Sequence, residues 1–169
     1  MGCLVGAEYL SRGETVTGVV RSAASVQRLR ELGIRALRVD LDAGAAPVLP
    51  SRGEDLFYFA PPPAAGTTDP RLRRLLAGFA ASGQPRRIVY ISTTGVYGDC
   101  EGAWVDETWP LQPQADRARR RVDAEQALNE WSRTSGGELV ILRVAGIYGP
   151  GKLPLERLRQ GLPVVRVSE

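Results

Sequence analysis

Ile88-Val-Tyr-Ile-Ser-Thr-Thr-Gly-Val-Tyr-Gly98 and Leu139-Val-Ile-Leu-Arg-Val-Ala-Gly-Ile-Tyr-Gly-Pro-Gly151 decide the fold. Each is a run of β-branched and aliphatic residues that enters a small-residue turn ending in Tyr-Gly. Runs such as 88–91 and 139–142 suit strands covered on both faces, the setting of a parallel sheet between helix layers. Open sheets of that kind place ligand sites at the carboxyl ends of their strands. Ser92, Thr93 and Thr94 fall at one such end, and Arg143, Ala145 and Gly146 at another.

Outward from these segments the pattern alternates. Residues 15–20 read as a strand. Residues 25–32 read as a helix with Val26, Leu29 and Leu32 on one side, and 35–39 as a second strand, making a βαβ unit. Residues 55–60 form a third strand stopped by Pro61-Pro62-Pro63, and 70–81 a helix with proline near its start. A loop with Trp104 and Trp109 leads to the longest helix, 116–135, whose buried stripe is Ala118, Val122, Leu128 and Trp131 and which Gly136-Gly137 ends. A short helix at 155–160 and an apolar stretch at 163–167 complete the chain. This alternation predicts an α/β fold, a doubly wound parallel sheet with right-handed crossovers. With 169 residues, one domain is expected.

The composition removes several chemistries. There is no histidine, which excludes His-based triads, His general bases and His metal ligands, and two cysteines alone cannot build a structural zinc site, so no metal site is expected. Cys3 and Cys100 read as free thiols in a reducing compartment, no signal peptide or membrane-spanning run is in view, and the expected location is the cytoplasm. The net charge of +3 rests almost wholly on arginine, since Lys152 is the only lysine. Basicity of that origin does not call for a nucleic-acid partner, and none is expected.

Thr93-Thr-Gly-Val-Tyr-Gly98 and Arg143-Val-Ala-Gly-Ile-Tyr-Gly-Pro150, in that order and spacing, resemble the NAD-dependent epimerase/dehydratase branch of the extended and atypical short-chain dehydrogenase/reductases. The resemblance runs from residue 15 to about 167. It implies a Rossmann-like domain that binds NAD or NADP, acting as an oxidoreductase or epimerase on a sugar-nucleotide or a small carbonyl or hydroxyl substrate. Thr93 matches the catalytic Ser/Thr that hydrogen-bonds the substrate oxygen; a strand-end hydroxyl that satisfies backbone is the alternative. Arg21 and Ser22 match the place where the adenosine ribose is read. A guanidinium there pairs with a 2′-phosphate and favours NADP over NAD. Asp40-Leu41 resembles the turn on adenine, Ala60-Pro61 the turn that lets backbone approach the cofactor, and Ala145-Gly146 the turn after the last strand.

Three departures limit what the resemblance implies. No strand precedes the amino-terminal segment, where only Gly2 and Gly6 echo the glycine fingerprint, and the first crossover helix is expected to be short, over residues 6–13. The sheet is therefore expected to lack its first strand. The Tyr and Lys that the family carries four residues apart fall, counting back from Asp123-Ala-Glu125, on Arg117 and Arg121. A guanidinium cannot exchange a proton near neutral pH, so Arg117 cannot replace the phenol, while Arg121 can still donate to ribose hydroxyls. Tyr97 is a substitute acid or an aromatic packed beside its turn. The chain also stops where the family's carboxyl-terminal substrate domain would begin, so residues 1–169 read as the middle of such an enzyme, a degenerate form or the product of a truncated reading frame.

Arg117, Arg119, Arg120 and Arg121 place four positive charges in the first turns of a helix, where the dipole already presents positive charge. Asp116, Asp123 and Glu125 are the expected neutralising partners, ahead of a bound phosphate or carboxylate. The functional readings are an NADP-preferring oxidoreductase or epimerase in which a non-standard group moves the proton, an inactive nucleotide-binding module, and an assembly protein whose open sheet edge is covered by a second subunit, giving a homo-oligomer.

Overall fold

The computed structural model describes residues 1–147, 155 and 159–161. Tyr148 to Pro150 of the second motif, most of the helix expected at 155–160 and the stretch 163–167 lie outside the described residues. In chain order the elements are α1 (Gly2–Ser11), β1 (Thr17–Val20), α2 (Ala23–Glu31), β2 (Arg35–Arg38), β3 (Asp55–Tyr58), α3 (Pro70–Ser82), β4 (Arg87–Thr93), a 3-10 turn (Thr94–Tyr97), α4 (Asp116–Ser135) and β5 (Glu138–Val144). All strand pairs are parallel. This is the Rossmann-like α/β architecture expected from the alternation.

The strands form two ladders rather than one. β1 pairs with β2, and β3, β4 and β5 pair in that order, but no ladder joins β1 to β3. No strand precedes α1 among the described residues, and β1 and β3 each have one edge unpaired among those residues. Helices bridge the two. On α1, the Tyr9 ring meets Phe57 of β3 edge-on at 5.4 Å, while a Cβ at Gly6 would lie 2.8 Å from Ile34 beside β2. From α3, Arg71 and Arg74 reach back to Asp42 and the Leu41 carbonyl, just beyond β2.

The core lies between the three-stranded ladder and α3 and α4. Ile88 and Tyr90 of β4 pack with Leu72, Leu75 and Phe79 of α3 and with Ala124, Leu128 and Trp131 of α4. At roughly 2 kcal/mol per fully buried large apolar side chain, this cluster is the main source of stability. The two-faced burial expected for β4 is corrected here. Burial alternates, with Ile88, Tyr90 and Ser92 buried toward the helices and Val89, Ile91 and Thr93 half-buried on the opposite face. α3 starts where Asp69 Oδ1 accepts from the Leu72 amide at 3.1 Å and Pro70 fills the first turn. α4 ends at Gly136, whose φ of 74° is left-handed. α1 corrects the expected 6–13: it begins at Gly2, so both Gly2 and Gly6 are helical residues.

Candidate functional site

Because all strands run the same way, their carboxyl ends share one edge of the molecule. The link across the two ladders is direct, since Arg71 bonds both Asp42 beyond β2 and the Pro61 carbonyl beyond β3. Along this edge lie Arg21 and Ser22, Asp40 and Leu41, Ala60 and Pro61, Thr93, and finally Ala145 and Gly146.

Thr93 is the last residue of β4. Its hydroxyl accepts the Gly95 amide at 3.2 Å and so caps the 3-10 turn, which is the backbone-satisfying role weighed above. The same oxygen still has a proton to donate, and no acceptor takes it among the described residues. The turn ends at Gly98, with φ 77° and ψ −145°, a conformation essentially limited to glycine. A Cβ there would meet the Gln112 carbonyl at 2.2 Å, while Gln112 donates its amide to Val96 at 3.0 Å. The Tyr-Gly motif thus presses the loop before α4 onto the turn after β4.

A polar network that sequence reasoning missed lies beneath this turn. Glu125, 1% exposed, enters the core from α4, accepts the Ser92 hydroxyl and receives Arg143 through Nε at 3.2 Å and Nη2 at 2.8 Å. Arg143 also donates to the Tyr97 hydroxyl at 2.9 Å and to the Glu107 carbonyl at 3.0 Å, with its guanidinium 5.0 Å from the Tyr97 ring centre. The hydrogen bonds that Arg143 donates to Glu125 come first in raising the Arg143 pKa, with burial opposing them. One arginine therefore fastens β5, α4, the turn and the loop. The i, i+4 phase of Arg121 and Glu125 on α4 was the available signal, but the partner lies on another strand.

The arginines at the start of α4 form the expected self-paired face only in part, and the difference comes from partners distant in sequence. Arg119 pairs with Asp116 at 2.8 Å. Asp123 instead takes Arg73 at 2.5 Å and the Asp69 amide at 2.8 Å. Arg120 is buried and donates to the Gly66 carbonyl at 2.6 Å. Arg121 donates to the Tyr90 hydroxyl and the Ile91 carbonyl, both at 3.0 Å. Burial pushes the Tyr90 phenol up to about 12, although Arg121 works the other way. Arg117 is exposed and has no partner among the described residues.

At the other end of the edge, Ser22 caps α2 by accepting the Ser25 amide at 3.1 Å, and Arg21 projects into solvent. Arg38 donates to the Arg21 carbonyl at 3.1 Å and adds a second guanidinium. Asp40 Oδ1 accepts the Asp42 amide at 2.9 Å, which shapes the 40–42 turn. Gly2 opens α1 beside the Phe59 ring, and Gly6 allows the close helix–strand approach described above. Ala145 and Gly146 are exposed beyond β5. Exposed cations and a capped helix start thus stand together at two adjacent strand ends.

Parallel strands flanked by helix layers define a Rossmann-like α/β protein. The sequence pattern of the NAD dependent epimerase/dehydratase family matches residues 68–164, more than half of the chain, and the protein belongs to that family. It is 41% identical over 69 residues to a dTDP-glucose 4,6-dehydratase of Streptomyces niveus, a match covering 40% of this chain and 20% of that protein. A functionally unknown conserved protein from Silicibacter pomeroyi DSS has a solved structure similar at TM-score 0.71 and 34% identity, over 92% of this chain and 52% of that one. The UDP-glucuronic acid 4-epimerase of Bacillus cereus, solved with NAD, matches at TM-score 0.73 and 19% identity, over 96% of this chain and 61% of that one, and supports the fold alone. The chain therefore spans little more than half the length of these solved relatives.

Proposed function

We propose that residues 1–169 form a single NAD(P)-binding Rossmann-like domain of an oxidoreductase or epimerase, with NADP preferred over NAD. The preference is carried by Arg21 and Arg38, two exposed guanidiniums at adjacent strand ends beside the Ser22 cap, where a 2′-phosphate would be read. A bound nicotinamide would supply hydride transfer. Thr93 would hold the substrate oxygen through its undirected proton, with a sugar-nucleotide or a small carbonyl or hydroxyl compound as substrate. Gly2 and Gly6, Asp40 and Leu41, Ala60 and Pro61, and Ala145 and Gly146 would line the dinucleotide. The expected setting is the cytoplasm.

A second reading, nucleotide binding without turnover, is favoured by Arg117 and Arg121. Arg117 stands where the family carries a proton-exchanging phenol, and Arg121 is committed to Tyr90 and Ile91. Calorimetric titration of the protein with NADP and NAD tests the shared premise: tighter binding of NADP is expected, and no heat with either at millimolar concentration overturns it. Thr93→Ala then separates the two readings. Unchanged cofactor affinity with loss of turnover on a sugar-nucleotide and carbonyl panel is the enzyme outcome, and a wild-type protein inert on that panel is the binding-module outcome.

A further inference from the structure

Asp42 faces two arginines unequally. Arg71 grips it in a fork, with Nε 2.5 Å from Oδ1 and Nη2 2.6 Å from Oδ2, whereas Arg21 reaches Oδ2 only through Nη1 at 3.4 Å. The first pair has the short, two-point geometry of a strong guanidinium–carboxylate contact; the second lies at the outer limit of a hydrogen bond. Arg71 is further fixed by donating from Nη1 to the Pro61 carbonyl at 2.9 Å, so its fork cannot swing away without releasing the turn after β3. Arg21 is the freer partner, with its side chain 68% exposed against 20% for Arg71. The bond from Arg71 is the largest influence holding the Asp42 carboxyl below its ordinary range, with Arg21 a smaller one.

An aspartate beside a phosphate-reading arginine is in itself adverse. It competes with the phosphate for the guanidinium and repels the phosphate's charge. Here that competition is reduced, though not removed, by the third residue. We propose that Arg71 and Asp42 set the choice between NADP and NAD: Arg71 occupies Asp42 and thereby leaves Arg21 available to the 2′-phosphate. In this proposal Arg71 acts through Asp42, as a positioning residue. The proposal rests on the nucleotide-binding reading above and adds two residues that the glycine and strand-end motifs do not single out.

The test compares two ligands that differ by one phosphate, adenosine 2′,5′-bisphosphate and 5′-AMP, by calorimetry on the wild-type chain, Asp42→Asn, Arg71→Gln and the double variant. Asp42→Asn should bind the bisphosphate about two- to five-fold more tightly, the scale of an exposed charge pair, with 5′-AMP affinity unchanged. Arg71→Gln should weaken the bisphosphate by a similar factor and leave 5′-AMP alone, and the double variant should recover the lost affinity. Recovery distinguishes charge competition from damage to the turn at Pro61, which Asp42→Asn would not repair. A bisphosphate to 5′-AMP ratio unmoved by Asp42→Asn overturns the proposal while leaving nucleotide binding intact. A wild-type chain that binds neither NADP nor NAD overturns both.

Discussion

Asp69 is fully buried at the start of α3, and it caps that helix at an electrostatic cost. Its Oδ2 and the nearby Tyr58 hydroxyl have no hydrogen-bond partner among the described residues. Burial raises the Asp69 pKa, with the Leu72 amide and Arg121 acting in the opposite direction, and burial followed by the Asp69 charge raises that of Tyr58. A carboxyl whose folded pKa exceeds its unfolded value stabilises the fold below the ordinary carboxylate range and loses that contribution as pH rises through the folded value. Asp69→Asn keeps an acceptor for the Leu72 amide and removes the charge. Urea midpoints measured from about pH 4 to about pH 7 should therefore fall with pH less steeply, or rise more, in the variant than in the wild type. Asp69→Ala loses the cap and should cost about 1 kcal/mol. Parallel pH curves for wild type and Asp69→Asn would contradict the assignment.

Elements defined by local chemistry were legible, and those defined by distant partners were not. α4 begins and ends where its pattern and Gly136 place it, and β1 to β5 lie within two residues of their expected bounds because strand runs and turn residues are short-range signals. The limits of α1 were missed because Met1 makes no side-chain cap and the helix carries no clear apolar stripe. Along the site, the strand-end positions of Thr93, Arg21 and Asp40 followed from the strands. The Glu125–Arg143 and Asp123–Arg73 pairs did not, since each joins elements that only packing brings together. The contact of α3 with the 43–50 segment is equally invisible in sequence. A Cβ on Gly78 would lie 2.0 Å from the Pro47 carbonyl oxygen, a backbone atom with no rotamer to yield. Gly78→Ala should thus destabilise the protein by about 3 kcal/mol, at the upper end of overpacking costs. A thermal midpoint within a degree or so of wild type would show that the segment gives way.

At the scale of the whole molecule, stability is divided unevenly between the two ladders. The β3–β4–β5 ladder lies on the main core, whereas β1 and β2 are four-residue strands with no fully buried residue of their own. Native-state hydrogen exchange should show amides of β1 and β2 opening at lower free energy than those of β4. Equal protection of the two ladders would mean that they open together. Guanidinium groups hold much of the midline between them, through Arg71 on Asp42 and Pro61 and Arg74 on Leu41. A seam held by charged side chains rather than by a strand ladder responds to its solvent. The spacing of the two ladders at their carboxyl ends becomes a function of ionic strength, so concentrated salt should loosen this seam long before it touches the core.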